Sequence, residues 1–203
     1  MISFDTPCVV LEMEKVRANI RNMQEHADRY NCKLRPHIKT HKSVALAKMQ
    51  MEAGAAGITC AKTTEAEVFA DGGIEDIFIA YPLVGEEKYR RALRIKKKIK
   101  RLIVAVDSIE GARMLSDFAV REGVVFEARL EADTGARRTG AVPGKLRETG
   151  AAIRELPGLN ITGVYTFKSM MWKNAVTNDA EAASAEEGRL ILSAAEVLRE
   201  LGF

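Results

Sequence analysis

The sequence is poor in the residue types that mark several large classes of protein. Its 203 residues include three cysteines, one tryptophan and only 6% aromatic residues. The cysteines, Cys8, Cys32 and Cys60, are odd in number and share no CxxC spacing, so neither a disulfide framework nor a zinc site is indicated. No run approaches the roughly 20 apolar residues of a membrane span, and the N-terminus has no basic-then-apolar segment. We therefore expect a reduced, cytoplasmic protein without a membrane partner.

An excess of charge of one sign is also missing. The chain has 31 basic and 28 acidic side chains, and a formal net charge of +3 is too balanced to indicate nucleic-acid binding. The strongest basic run, Tyr89–Arg101, lacks the interleaved aromatic motif of an RNA-binding protein. That run is typical of a solvated helix face leading into a strand. Because 47% of the residues are hydrophobic, we expect one well-packed domain over residues 1–203.

Strand-like runs alternate with helical patterns along the whole chain. Seven runs are predicted as strands: Cys8–Met13, Lys33–Lys39, Ile58–Lys62, Asp76–Tyr81, Arg101–Asp107, Val124–Asp133 and Ile161–Phe167. Seven helices are predicted, and the first, Glu14–Tyr30, and the last, Asp179–Leu201, repeat apolar residues with the 3.6-residue period of an amphipathic helix. Such regular alternation is typical of parallel strands joined by right-handed crossovers.

Two architectures compete for this pattern, an open doubly wound sheet and a closed (β/α)8 barrel. A dinucleotide-binding sheet has a GxGxxG turn after its first strand, and the sequence contains none there. The predicted units are one short of a barrel, and 203 residues are fewer than the usual 250 or so. We therefore predict an α/β fold of the (β/α)8 TIM type that is incomplete at its C-terminal end.

Two predicted strands carry charge where a buried parallel strand is normally apolar. In the first, one face carries Arg35, His37 and Lys39. In the second, one face carries Glu127, Arg129, Glu131 and Asp133. Since the opposite, apolar faces suit the helix layer, the charged faces are expected to line the interior. They would form either a structural ion-pair network or a functional cavity.

Lys39 is the focus of the second alternative. It ends its predicted strand, and in barrels the chemistry takes place at the carboxyl ends of strands. The neighbouring cations Arg35, His37 and Lys42 favour the neutral amine that a nucleophilic lysine requires.

Two longer segments and several short ones carry a family resemblance. The longer ones are Arg35–Lys42 (RPHIKTHK) and Glu131–Gly140 (EADTGARRTG). The short ones are Thr6-Pro7, Gly57–Thr59, Glu65–Glu67, Ala80–Gly85 and Gly163–Thr166. Together they resemble the D-threonine aldolase / D-serine dehydratase family, pyridoxal phosphate (PLP) enzymes with an alanine-racemase type of barrel. The matches span nearly the whole chain in the right order, and the octapeptide is the most specific of them.

The resemblance implies roles for four residues. Lys39 would be the Schiff-base lysine and a general base near the substrate Cα. Arg138, which fits the family's GxxRxG pattern, would hydrogen-bond the pyridine nitrogen, with Arg137 as the neighbouring candidate. Tyr165 would lie at the cofactor ring or be a core tyrosine. His37 would orient the ring or pair with a carboxylate.

By the same resemblance, the protein is expected to be a PLP-dependent lyase acting on D-3-hydroxy amino acids, of the D-threonine aldolase or D-serine dehydratase type, and to form a homodimer. Three alternatives stay open. They are a non-catalytic PLP-binding homeostasis protein, an amino-acid racemase of the same fold, and a barrel enzyme without PLP that uses Lys39 as a plain acid or base.

The chain departs from the family in two respects. After Tyr165-Thr166, related chains often carry histidine or tyrosine and then glycine, whereas this one has Phe167-Lys168. Family members are also longer: their C-terminal β-domain, which holds the ligands of a zinc or manganese ion, has no counterpart here, nor has their late phosphate-binding loop. The family assigns Cys8–Met13 towards that domain, which leaves six barrel strands. We therefore expect no metal ligands in this chain, and we expect it to be the amino-terminal part of a longer lyase.

Overall fold

The computed structural model describes residues 5–173 and 175–203. Over this part of the chain there are seven α-helices: α1 Met13–Arg29, α2 Val44–Glu52, α3 Thr63–Asp71, α4 Glu86–Lys98, α5 Ile109–Arg121, α6 Leu146–Arg154 and α7 Ala180–Glu200. The main sheet has five strands: β1 Ile58–Cys60, β2 Asp76–Pro82, β3 Arg101–Val106, β4 Phe126–Glu131 and β5 Leu159–Tyr165. A short antiparallel pair follows, β6 Met171–Trp172 and β7 Ala175–Val176.

The strands of the main sheet lie in their order along the chain. Every neighbouring pair is parallel, from β1 with β2 to β4 with β5. A doubly wound sheet reverses its strand order at a switch point, whereas a barrel keeps the sequential order. The order therefore agrees with the predicted α/β barrel type, and the five-stranded sheet remains open within the described residues.

Five of the seven predicted strands are present, with ends that differ from the prediction by at most two residues. The first and last helices are each within one residue of the prediction. Ser43 and Ser108 cap α2 and α5, because their side chains accept hydrogen bonds from backbone N–H groups of the first turn.

The prediction of a strand over Cys8–Met13 was wrong. Residues 8–12 form no regular secondary structure, and Met13 already begins α1. Val9 is 91% exposed. The alternation is that of a strand, yet a strand forms only where a neighbour can accept and donate its hydrogen bonds.

The prediction of a strand over Lys33–Lys39 was wrong for most of its length. One parallel bridge joins His37 to Thr59 of β1, and a 3-10 turn at Ile38–Thr40 then ends the extended backbone. Pro36 contributes its carbonyl to the Thr59 N–H at 2.8 Å but has no N–H of its own. Lys39 therefore lies in a turn beyond the sheet edge rather than at the end of a strand.

The sheet separates two apolar layers. A large cluster packs between the sheet and the helices and contains the predicted outward face of β4, Phe126, Ala128 and Leu130. A small cluster lies on the inner face, where Phe78, Ile103 and Ala105 are buried and Ala80 and Tyr165 pack against them. The charged side chains of the inner face, among them Arg35 and Arg129, therefore share it with this small apolar cluster.

The basic run at Tyr89–Arg101 lies mainly on α4, and many of its cations are paired. Arg91 and Arg94 both reach Glu67 of α3, at 3.2 and 3.1 Å, and Lys98 forms an ion pair with Asp71. These contacts agree with a solvated helix face. Among the described helices, none is long and apolar enough to cross a lipid bilayer.

Candidate active site

A cavity of about 340 Å³ lies on the inner face, at the carboxyl ends of the strands. This volume falls within the range of small-molecule sites. The four side chains predicted at the site all line it: His37, Lys39, Arg138 and Tyr165. They come from the segment beside β1, from the loop after β4 and from the end of β5. The fold thus brings together residues that lie more than 120 positions apart.

Lys39 reaches the cavity from its 3-10 turn. Its backbone N–H donates to Nδ1 of His37 at 3.3 Å, which helps to fix the turn. Its side chain is exposed, and Nζ lies 5.4 Å from the centroid of the Phe167 ring. Among the described carboxylates, none is within ion-pair distance of Lys39, whereas Lys42 pairs with Glu65 at 3.4 Å. Of these two amines, the Lys42 amine has a described ion-pair partner and the Lys39 amine has none.

His37 is half-buried and acts as an acceptor. Burial, and secondly the charge of Lys39, lower the pKa of His37 from its ordinary value. The neutral imidazole, with Nδ1 accepting the Lys39 N–H, is therefore the form that the site favours. Of the two roles predicted for His37, the geometry supports positioning of the lysine turn, and among the described residues no carboxylate forms an ion pair with it.

Glu131 at the end of β4 is the buried centre of a hydrogen-bond cluster. Its carboxylate is 2% exposed and accepts hydrogen bonds from the Tyr165 hydroxyl at 2.8 Å and from the Thr139 hydroxyl at 2.9 Å. Burial raises the pKa of Glu131, although both hydrogen bonds oppose this effect. Burial and the nearby Glu131 raise the pKa of Tyr165, so this hydroxyl stays protonated and donates.

Tyr165 combines the two roles that the sequence left open. Its ring packs edge-on against Phe78, with a centroid distance of 4.9 Å and an interplanar angle of 86°, and so belongs to the inner apolar layer. The same ring lines the cavity. Tyr165 therefore serves the core and the site together.

Arg138, and not Arg137, faces the cavity of Lys39. Its guanidinium carbon lies 4.7 Å from the Phe167 ring centroid and 5.9 Å from that of Tyr81, and a guanidinium nitrogen is 4.0 Å from Glu131. Arg137 lines a separate cavity of about 670 Å³ between its own loop and α7. Of the two candidates, the geometry favours Arg138.

The loop that carries Arg138 has a shape set by its sequence. Asp133 Oδ1 accepts the backbone N–H groups of Gly135 and Arg137, at 2.9 and 3.0 Å. Gly140 has a φ of +104°, and a Cβ there would lie 2.7 Å from the Asp133 nitrogen, so only glycine fits. Asp133 thus shapes the loop, and it lines the cavity beside Arg137 rather than the cavity beside Lys39.

The inward charged side chains of the segment 33–39 and of β4 form ion pairs with residues of other strands, and among the described residues none pairs the two segments with each other. Arg35 pairs with Asp76 at 2.7 Å, and Arg101 pairs with Glu127 at 2.6 Å. Among the described residues, Arg129 forms no ion pair, and its buried Nε has no hydrogen-bond partner. Burial and the charges of Arg35 and Arg101 lower its pKa. The inward charges therefore form both a network and a cavity lining.

Sequence reasoning missed Phe167 as a cavity residue, although the i, i+2 alternation from Tyr165 places both on one face. It also missed the burial of Lys168, which is 1% exposed and forms an ion pair with Glu186 of α7. No local pattern signals a pair of residues 18 positions apart.

A family model, the N-terminal domain of alanine racemase, matches residues 11–201. The chain belongs to this family. This membership agrees with the sequential strand order and with the site at the carboxyl ends of the strands.

Within the alanine racemase N-terminal domain family, two curated relatives are 32% identical to the chain. They are the D-threonine aldolase of an Arthrobacter species and the D-threo-3-hydroxyaspartate dehydratase of Delftia sp. HT23, which cover 98% and 100% of the chain. The D-serine dehydratase of Dictyostelium discoideum is 28% identical. The chain spans about half the length of these relatives: 52%, 53% and 54%.

Solved structures of related proteins have the same fold as this chain. The D-threonine aldolase of Filomicrobium marinum superposes with a TM-score of 0.88 at 30% identity, over 98% of this chain and 54% of that one. The alanine racemase of Streptomyces lavendulae, at 21% identity, shares the fold with a TM-score of 0.73.

Proposed function

We propose that this chain binds PLP through Lys39 and supplies the cofactor site of a lyase acting on D-3-hydroxy amino acids. The observation that carries the proposal is the convergence of Lys39, His37, Arg138 and Tyr165 on one cavity of about 340 Å³. It is supported by relatives named D-threonine aldolase and D-serine dehydratase. We propose a homodimer as the association state and the cytoplasm as the location.

The residues of the cavity fit PLP. A lysine amine free of nearby carboxylates suits the aldehyde, and three arginines, Arg35, Arg129 and Arg138, suit a ligand that carries a phosphate and a phenolate. The unpartnered Nε of Arg129 leaves a buried donor for an anionic ligand. The aromatic rings of Phe78, Tyr165 and Phe167 provide apolar walls for a planar heterocycle. When bound, PLP supplies an electron sink for charge that develops at the substrate Cα.

Each side chain then has a defined task. The Lys39 amine would hold the cofactor covalently before substrate binds and, once released by the substrate amine, would move a proton at the substrate Cα. Arg138 would donate to the pyridine nitrogen, where a permanent cation would disfavour protonation of the ring. Glu131 holds the Tyr165 hydroxyl in place behind the site. Within residues 5–173 and 175–203, no cluster of three or more His, Cys, Asp or Glu side chains forms a metal site.

The test is a titration of the chain with PLP, followed by absorbance above 300 nm or so, where the protein itself does not absorb. After the absorbance of free PLP is subtracted, we expect a Schiff-base band with the native sequence and none with Lys39→Ala. Lys42→Ala is the matched control, because Lys42 lies in the same octapeptide but pairs with Glu65. Equal spectra for the native chain and Lys39→Ala would overturn the proposal.

Turnover then distinguishes the reaction types. Cleavage of D-threonine to glycine and acetaldehyde supports the aldolase type, and release of ammonia from D-serine supports the dehydratase type. Exchange of the Cα proton with inversion supports a racemase. A stable complex with PLP that converts none of these substrates contradicts the lyase proposal and favours a non-catalytic carrier.

Arg138 is tested against its neighbour. Arg138→Ala is expected to shift the absorbance of the bound cofactor, because its ring nitrogen loses a charged donor. Arg137→Ala, in the same loop but outside the cavity, is expected to leave the band unchanged. A shift with Arg137→Ala alone would transfer the role to that residue.

A further inference from the structure

Arg129 is the inward side chain at the middle of β4, and the side chains around it are small. In the sheet register it lies opposite Ala105 of β3. Ala61, just after β1, and Ala80 of β2 line the same cavity as Arg129. Three methyl groups fill little of the interior at this level. The space around the guanidinium group of Arg129 is therefore open.

Arg129 also belongs to a group of charged side chains in which cations outnumber carboxylates. Asp76 pairs with Arg35 through Oδ1 at 2.7 Å and lies 3.6 Å from Arg101 through Oδ2. Glu127 accepts hydrogen bonds from Arg101 with both of its oxygens, at 2.9 and 2.6 Å. Burial, and then the charges of Arg35 and Arg101, lower the pKa of Arg129 and outweigh the two carboxylates. Three guanidinium groups thus share two carboxylates, and the charge of Arg129 is the surplus.

The hydrogen-bond donors of Arg129 are not satisfied either. Among the described residues, Arg129 forms no ion pair, and its buried Nε has no hydrogen-bond partner. The guanidinium carbon lies 5.5 Å from the centroid of the Phe78 ring, but this cation–π contact does not replace a hydrogen-bond acceptor. An unpaired donor and an uncompensated charge are both costly inside a protein. The surroundings of Arg129 therefore favour a bound anion.

We propose that Arg129 is the centre of an anion site inside the cavity, and that this site takes a small planar monoanion such as formate or bicarbonate. A surplus of one positive charge is neutralised by one negative charge. The guanidinium edge that carries Nε presents two N–H donors in a fixed fork, which matches the two oxygens of a carboxylate. The three alanines leave space for such an anion and contribute no side-chain polar group that competes for it.

The anion site is separate from the contacts proposed for the cofactor. Arg138 approaches Glu131 at the end of β4, to within 4.0 Å. Arg129 precedes Glu131 by two residues, which places it about 6–7 Å nearer the amino end of the strand. A phosphate group carries close to two negative charges at neutral pH, more than the surplus requires. The inference therefore does not rest on the proposed function, and the full chain can be tested with or without PLP.

The experiment follows the Nε–H signal of Arg129 by ¹H–¹⁵N NMR while sodium formate is added to the full chain at constant ionic strength. The signal is assigned by its loss in Arg129→Lys. We expect a shift that saturates as formate is added, because the Nε–H group gains an acceptor. The same saturating shift is expected in the chain loaded with PLP.

Variants test the site through stability, since an anion that binds only the folded chain raises its melting temperature. Formate is expected to raise the melting temperature of the native chain. Arg94→Met is the matched control and should keep this rise, because Arg94 pairs with Glu67 on the surface. Arg129→Met is expected to lose the rise. Arg129→Lys keeps the charge without the two-donor edge and is expected to bind formate roughly tenfold more weakly.

Two kinds of result would overturn the inference. The first is an Nε–H signal that formate does not shift, or a formate-dependent rise in melting temperature that Arg129→Met retains. The second is a shift of this signal by PLP after which formate has no further effect, because the anion beside Arg129 would then be the cofactor phosphate. Neither result bears on the covalent bond to Lys39, by which the proposed function is judged.

Discussion

The segment Lys33–Lys39 and strand β4 alternate apolar and charged residues in the same way, yet the fold holds them differently. β4 pairs with β3 on one side and with β5 on the other. The segment 33–39 is joined to β1 by one bridge and then turns away at Ile38–Thr40. Alternation therefore determines which side chains face inward, whereas the hydrogen-bond ladder determines how firmly they are held.

The charged side chains of the two regions also differ in how completely they are paired. On β4, the carboxylates of Glu127 and Glu131 form ion pairs or hydrogen bonds with arginine, threonine and tyrosine side chains. In the segment 33–39, Arg35 is paired, while Lys39 ends the segment without a described ion-pair partner. A strand paired on both sides thus supplies part of the cavity wall, and a turn attached by one bridge supplies the amine that we propose as the cofactor-binding lysine.

The largest effect that tests this contrast is expected at Glu131. Glu131→Ala leaves the Tyr165 and Thr139 hydroxyls without their acceptor, and we expect the free energy of unfolding to fall by about 2–3 kcal/mol. Lys39→Ala, at an exposed amine, is expected to change it by less than about 0.5 kcal/mol. Urea unfolding of both variants measures the difference. Equal losses of unfolding free energy in the two variants would contradict the contrast between β4 and the segment 33–39.

A smaller effect is expected at Arg35, which ties the loosely held segment to the sheet. Its ion pair with Asp76 is mostly shielded from solvent, and Arg35→Met is expected to cost roughly 1–2 kcal/mol. Hydrogen exchange of the Arg35→Met variant shows where stability is lost. We expect the backbone amides of residues 35–40 to exchange faster than in the native chain, and those of β4 to exchange at their native rate. Faster exchange in β4 alone would mean that Arg35 does not act as a tether.

The smallest effect concerns pH and His37. Because the folded pKa of His37 is lowered, the unfolded chain binds a proton more readily once the pH falls below about 6.5. The contribution of His37 to stability is therefore fully present above that pH and declines as the pH falls towards the folded pKa. Comparing urea unfolding at about pH 7.5 and pH 5.5, we expect His37→Asn to lose less stability on acidification than the native chain. An identical loss in both would contradict this.

The sequence correctly predicted which side chains face inward where the apolar and charged residues alternate. The inward placement of Arg35, His37 and Arg129 follows from alternation, because an extended backbone turns successive side chains to opposite faces. Lys39 reaches the same cavity from the 3-10 turn that follows. The GxxRxG pattern likewise singled out Arg138, and the structure places it at the cavity of Lys39.

The sequence was a poor guide wherever a partner decides the structure. Cys8–Met13 has the pattern of a strand but no described neighbour to pair with, and Pro36 interrupts the ladder of the segment beside β1. The pair of Lys168 with Glu186 depends on how α7 lies against the end of β5. Such contacts between distant segments leave no local pattern.

The most direct test of the central claim is to locate the covalent bond to the cofactor. The chain is mixed with PLP, reduced with borohydride, digested and analysed by peptide mass spectrometry. We expect the reduced cofactor on Lys39, with the other lysine of the octapeptide, Lys42, unmodified. Modification of Lys42 or of a distant lysine, with Lys39 left free, would contradict the assignment of Lys39 as the cofactor-binding lysine.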